Sequence, residues 1–346
     1  MVRCACRVVF LAILTLPPAS PLSAAQNAGA LAAEGRRALD AGDPGTAMAR
    51  LEEAYRLSPA DPGIARSLLL ACLQGRRPDR AAVLGADAVG RWPRDPGFRH
   101  LLGLAYFQTG RNQPALEQLT EAALLAPRSA DIHHDLALVY LAERQYAPAA
   151  DHLERVITLS PRSAIDHVLL GRAYLNSNRT LDAIRVFRRA LALDPRLPLG
   201  HYHLGFAYGA LGRNQEAMAE YRKELAQRQD NPEVFYQLGH TLLESGEWKE
   251  AAQHLERAVA LDPASQAAHY DLGKARLLLG DVERAIAALR RALELDPKDA
   301  SSHFQLARAL EKSGRIEEAQ QHLARFQDLK AQQQQSGGMA TGRVRE

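Results

Sequence analysis

Several things that this 346-residue chain lacks narrow its chemistry before anything else is read. It has three cysteines, at positions 4, 6 and 72, and the first two precede an apolar run read below as a removable leader. Cys72 is then alone, and a lone thiol forms no internal disulfide and argues neither for nor against an oxidising compartment. In place of a packed aromatic, it reads as a buried thiol rather than a nucleophile. A strong charge of either sign is also missing, since Lys and Arg total 43 against 40 acidic residues. Without Arg3 and Arg7 of the leader the net charge falls to about +1, which is no footprint for nucleic acid, and none is expected as a partner. Beyond the leader no apolar run approaches the roughly 20 residues of a spanning helix, so no stable membrane span is expected after its removal. Signatures of catalysis are missing as well: no glycine-rich phosphate loop, H-E-x-x-H, C-x-x-C or G-x-S-x-G occurs. The acidic pairs Glu52-Glu53 and Glu317-Glu318 sit among basic residues and read as solvated helix surface. The expectation is a protein that is not an enzyme and carries no cofactor or metal.

What is present begins with residues 1–25: Arg3 and Arg7, the apolar stretch Val8–Leu16, then a Pro-containing segment ending Ser23-Ala24-Ala25. This is the layout of a secretory signal peptide, with small residues at the last and third-last positions before Gln26. Export to a periplasm or to the exterior is expected, the alternative being an uncleaved N-terminal anchor. A lipid-modified cysteine is disfavoured because Cys4 and Cys6 precede the apolar run.

The rest of the chain repeats. Prolines stand at 59, 93, 127, 161, 195, 263 and 297 on one 34-residue grid, with Gln229 in its single gap. Twelve residues before each grid point is an alanine, from Ala47 to Ala285, and Ala319 continues the series. Twenty-four residues before it stand Gly35, Gly103, Gly171, Gly205, Gly239 and Gly273, with Ala137 and Ala307 substituting and Leu69 as the misfit. In the unit 198–231, His201, Leu204, Gly205 and Tyr208 share one face of a helix. Gly212 breaks it, and Ala217, Tyr221 and Glu224 continue on a second helix. Each unit is therefore two short helices, small where they cross because axes about 8–10 Å apart leave no room for more. Gly42, Gly110, Gly212, Gly246, Gly280 and Gly314 mark the turn between them. Pro114 and Pro148 fall near the start of second helices, where a missing N–H costs little.

Leu-Gly, Tyr, Ala, Ala and Pro at this period resemble the tetratricopeptide repeat family, over nine units: 28–61, 62–95, 96–129, 130–163, 164–197, 198–231, 232–265, 266–299 and 300–333. The resemblance implies an all-α, right-handed superhelical solenoid of nine 34-residue helix-turn-helix repeats. The first unit departs from the pattern at Glu34 and Ala38, the second at Leu69, Cys72 and Gly85. A last helix from Ile316 to about Gln332 is expected to shield the end of the stack with polar residues. Residues 334–346, poor in apolar side chains, read as a disordered tail.

Twelve histidines invite a metal reading, and five share one frame position: His133, His167, His201, His269 and His303. Successive repeats lie on the order of 10 Å apart whereas zinc ligands lie about 2 Å from the metal, so these rings are expected to pack between helices.

The resemblance places function on the concave face, lined by the first helix of each unit through frame positions that include the fifth and ninth. The fifth reads Ala32, Arg66, His100, His134, Val168, Tyr202, Tyr236, Tyr270 and Phe304, and the ninth reads Arg36, Leu70, Leu104, Leu138, Arg172, Phe206, His240, Lys274 and Arg308. The candidate partner-binding groove is thus Tyr202, Phe206, Tyr236, His240, Tyr270, Lys274, Phe304 and Arg308 together with Arg172, rings for apolar side chains and cations for carboxylates. The bland alternative is that the rings partly pack on neighbouring helices with only their tips exposed. In the carboxylate-clamp variety of the family, Lys and Asn fill positions five and nine of an early unit. Ala32 and Arg36 stand there instead, so recognition of chaperone C-termini is not indicated. The expected function is a non-enzymatic scaffold or adaptor that holds a partner protein or peptide in envelope assembly or secretion. Its rival is a regulatory or substrate-presenting subunit of an enzyme complex, for example a glycan-processing one. Oligosaccharide binding along the rings is a third reading.

Overall fold

The computed structural model describes residues 21–228 and 230–341. All regular structure among the described residues is helical, in eighteen α-helices, as expected of an all-α solenoid of nine helix pairs. Most of the expected leader, residues 1–20, lies outside the described residues. The chain divides into two compact units, with the boundary after Arg144.

The first unit contains α1 (Pro21–Asp40), α2 (Pro44–Leu57), α3 (Pro62–Gln74), α4 (Pro78–Arg91), α5 (Pro96–Gln108), α6 (Asn112–Leu125) and α7 (Ala130–Ala142). The second contains α8 (Tyr146–Leu159), α9 (Ala164–Asn176), α10 (Thr180–Leu193), α11 (Gly200–Gly209), α12 (Asn214–Gln227), α13 (Pro232–Glu244), α14 (Trp248–Leu261), α15 (Gln266–Leu278), α16 (Val282–Leu295), α17 (Ala300–Lys312) and α18 (Ile316–Thr341). Odd-numbered helices are the first of each pair.

Capping sets where the first helices start. Asp61, Asp95, Ser129, Ser163, Asn231, Ser265 and Asp299 each accept a backbone N–H from the first turn that follows. Each such cap contributes about 1 kcal/mol. In the sixth repeat that frame position is Leu197, which has no acceptor and is buried. The chain instead passes through left-handed backbone at Leu199 (φ 60°), and α11 begins at Gly200, two residues into the repeat. Glu224 of α12 takes over the capping: its carboxylate accepts from the backbone N–H groups of Leu199 (3.0 Å), His201 (3.1 Å) and Tyr202 (3.3 Å). Its frame position holds alanine in six other repeats.

The turns follow the glycine grid. All six turn glycines have φ between 70° and 84°. In the remaining repeats Arg76, Arg144 and Asn178 occupy the same place at φ 54–59°, a strained geometry for residues with a Cβ, at about 1–2 kcal/mol each. Where the paired helices cross, a Cβ on Gly171 would stand 2.3 Å from the Phe187 ring, and one on Gly103 2.6 Å from Leu119. Leu69 and Gly85, the misfits of the second repeat, are both buried, and a Cβ on Gly85 would stand 3.1 Å from Leu102 of α5.

The frame histidines pack between helices and bond to main chain or to one neighbouring side chain. Ring nitrogens of His133, His269 and His303 donate to the carbonyls of the grid prolines Pro127, Pro263 and Pro297 at 3.1–3.2 Å. His167 bonds the Ser163 carbonyl, and His201 meets Glu220 at 2.6 Å. The end of the chain differs from expectation: α18 continues through residues 334–341, helix where a disordered tail is read from composition. Ala331 and the Gln332–Gln335 run are good helix formers, and they extend a helix already anchored by Ala319 and Leu329. Residues 342–346 lie outside the described residues.

Candidate functional site

Within each unit consecutive first helices touch: α1 with α3, α3 with α5 and α5 with α7, then α9 with α11, α11 with α13, α13 with α15 and α15 with α17. Among the described residues consecutive second helices make no comparable contact. The first helices therefore lie on the inner side of each unit's bend, where frame positions five and nine project.

The second unit brings eight of the nine candidate groove residues onto α11, α13, α15 and α17, in order. Tyr202, Tyr236 and Tyr270 are half-buried, Phe206 is 43% exposed and Phe304 37% exposed. Arg172, the ninth, is exposed on α9, one repeat earlier. Rings on neighbouring turns approach one another: Tyr202 and Phe206 centroids are 6.4 Å apart, Tyr236 and His240 5.8 Å. Phe304 also meets Phe326 of α18 at 5.2 Å.

The rings are partly packed and partly open, and the Tyr202 hydroxyl is tied to the next repeat, donating to Glu233 (3.5 Å). Burial, and then the neighbouring carboxylates, push the Tyr202 and Tyr236 hydroxyls up to about 12. Burial raises Tyr270 as well. Tyr202 is thus a rung between repeats, pinned at its polar end while part of the ring stays open. A ring held this way loses little conformational entropy on contact with a partner.

His240 is the most engaged of the cationic positions. Its Nδ1–H donates to Asp271 Oδ2 at 2.7 Å, and Nε2 lies 3.5 Å from Glu244. The bond to Asp271 raises its pKa above the ordinary histidine value. In contrast, Arg172, Lys274 and Arg308 have no carboxylate within ion-pair distance among the described residues. Arg308 bonds only the Gln305 amide oxygen and lies over the Phe304 ring, 6.0 Å from its centroid. Other arginines are paired with carboxylates, as in Arg80–Glu52, Arg222–Glu250 and Arg315–Glu283. Three unpaired cations on one face mark a surface whose charge is not balanced from within.

The same frame positions in the first unit are different. Arg66 is paired with Asp95 at 2.5 Å and lies 5.2 Å from the Phe98 ring, and His100 meets Asp135 at 2.5 Å. Position nine there is Arg36, then Leu70, Leu104 and Leu138.

The residues missed from sequence are Glu233, which accepts from Tyr202, and Asp271, which accepts from His240. Each sits one repeat on, at frame position two or six, and the acidic residues at those positions opposite Tyr and His are the signal that could have found them. No group of three or more metal-binding side chains occurs among the described residues, and none of their helices is long and apolar enough to cross a membrane.

A row of helix pairs with this inner face defines a class, the helical-repeat solenoid, and the comparisons name the family. The chain belongs to the tetratricopeptide repeat family: one family model matches residues 32–96, 100–164 and 236–300, more than half of the chain, and others match 171–212, 200–230 and 276–337. No curated protein matches the sequence. Among solved structures the chain is similar to Cut9–Hcn1 of the APC/C hetero-tetramer, with TM-score 0.52 and 17% identity over 76% of this chain and 52% of that one. It is also similar to MamA from Desulfovibrio magneticus RS-1, with 26% identity, TM-score 0.47 and coverage of 49% and 96%. YrrB, described as a tetratricopeptide protein with an unusual peptide-binding site, gives 23% identity, TM-score 0.48 and coverage of 53% and 94%.

Proposed function

We propose that this protein is an exported scaffold or adaptor that holds a segment of a partner protein against the inner face of its second unit, in envelope assembly or secretion. The observation that carries the reading is the ladder of partly open rings at Tyr202, Tyr236, Tyr270 and Phe304 beside Arg172, Lys274 and Arg308, cations without an ion pair among the described residues. Rings of this kind give contact area at small entropic cost, and Tyr and Arg dominate binding hot spots. Membership of a family of protein-interaction scaffolds supports it. The export half rests on the secretory layout of residues 1–25.

A photo-crosslinking amino acid at position 236, introduced in the native compartment and followed by mass spectrometry, tests both halves. One dominant adduct with an envelope or secreted protein is expected. An adduct with a cytosolic protein would end the export reading, and retention on polysaccharide without any protein adduct would replace the adaptor with a glycan binder.

A further inference from the structure

The spacing of the inner face restricts the backbone that can lie along it, and this inference rests on the function proposed above. Because consecutive first helices of the second unit are in contact, their axes are about 8–10 Å apart. The row of rings at position five and the row of position-nine side chains are four residues apart on each helix, so the rows run side by side about 6 Å apart. A guest must therefore present equivalent side chains on one face every 8–10 Å, one per repeat, with an apolar edge beside an acidic one.

A β-strand repeats a face every second residue, at about 6.6–6.8 Å, and its third residue points to the opposite side. It falls out of step within two repeats. An α-helix returns to the same face after seven residues, about 10.5 Å, at or beyond the upper end of the range. A polyproline II helix has three residues per turn and rises about 3.1 Å per residue, so it repeats a face every 9.3 Å, inside the range. It also arrives largely ordered, and aromatic-lined grooves take it by contact with proline rings. The half-buried rings of Tyr202, Tyr236 and Tyr270 suit that contact, since such a partner is met by ring surface.

We propose that the partner segment is a proline-rich, acidic polyproline II stretch in register with the repeats, three residues to each. The cations then set its acidic positions. Lys274 and Arg308 are one repeat apart, so their carboxylate partners are three residues apart. Arg172 is three repeats before Lys274, so its partner is nine residues from that of Lys274. Phe206 faces an apolar residue between them, and His240, already engaged by Asp271 and Glu244, faces an uncharged one. The pattern is acid, apolar, neutral, acid, acid at every third residue of a 13-residue segment, in one chain direction or the other.

Fluorescence anisotropy with the full chain and four labelled probes tests this. Two 13-residue peptides carry the acidic pattern with proline at most other places, one in each direction. A third, with the order of the better one, has alanine for every proline, and a fourth has prolines retained but acids moved by one residue. One proline peptide is expected to bind roughly tenfold or more tighter than the alanine and shifted probes, and to lose about tenfold in Tyr236→Ala or Tyr270→Ala. Lys274→Gln is expected to weaken it and flatten its salt dependence. Circular dichroism of each variant verifies that the helices are intact. Tighter binding of the alanine peptide, with gain of helix, would overturn the proline reading while leaving the groove standing. Equal binding of the shifted probe would overturn the register, and proline-peptide binding indifferent to both tyrosine variants would overturn the proposal. Failure of the groove itself is read separately, as loss of the native adduct at position 236.

Discussion

The two units carry the same frame and treat its inner face in opposite ways. In the first, Arg66 and His100 at position five are neutralised from within, by Asp95 and Asp135, and position nine is Arg36 followed by three leucines. In the second, position five is a ladder of rings and position nine leaves Arg172, Lys274 and Arg308 without acidic partners. A repeat fold fixes where side chains point and leaves their chemistry to each unit. An internally balanced face stabilises its own helices, whereas an unbalanced one leaves charge for something else to meet.

The largest expected effect breaks that comparison at the rings. Tyr236→Ala with Tyr270→Ala should weaken partner capture by about 4 kcal/mol, at roughly 2 kcal/mol per hot spot. Leu104→Ala with Leu138→Ala in the first unit should leave capture within experimental error, and isothermal titration against the crosslinked partner compares the two. Next comes packing. Gly171→Ala drives a methyl into the Phe187 ring and should cost about 2–3 kcal/mol in chemical denaturation. Ala137→Gly at the same frame position should cost only about 1 kcal/mol, through helix propensity. Glu224→Ala removes the carboxylate that caps α11 and leaves three backbone N–H groups without it, and should cost about 2 kcal/mol and blur the position of Tyr202. Asp61→Ala, a conventional cap in the first unit, should cost about 1 kcal/mol.

The smallest effect is a pH dependence from histidines of the second unit. Burial lowers His203 to about 4, and it lowers His254, His269 and His322 as well. For such groups the unfolded chain takes up protons first, so their stabilising contribution is present above the ordinary value of 6.5 and is lost as pH falls toward 4. His240 runs the other way: its raised pKa stabilises the fold below 6.5, and that contribution disappears as pH rises through the folded value. The depressed rings outnumber it, so thermal melts should shift down by a few degrees between pH 7 and pH 5. His240→Ala should enlarge the shift, and a smaller shift in that variant would contradict the assignment.

Much of this architecture was legible in the sequence because it rests on local rules. The 34-residue grid, the crossing glycines and the turn glycines each report a backbone or volume constraint within one helix pair. Illegible features depend on partners about one repeat or one helix away. Glu224 replaces a lost cap only because Leu197 lacks an acceptor, Gly85 leaves room for Leu102 of the next repeat, and Arg76, Arg144 and Asn178 accept left-handed backbone where the other repeats have glycine. The site divides in the same way. The order of rings and cations could be read directly, whereas the bonds of Tyr202 to Glu233 and of His240 to Asp271 are set by how adjacent repeats lie together.

The most direct test places the same photo-crosslinker at three positions: 236 on the inner face of the second unit, 104 on that of the first, and 257 on the exposed side of α14. Partner adducts dominated by position 236 are the predicted result. Equal yields at all three, or a maximum at 257, would contradict the assignment of the binding face.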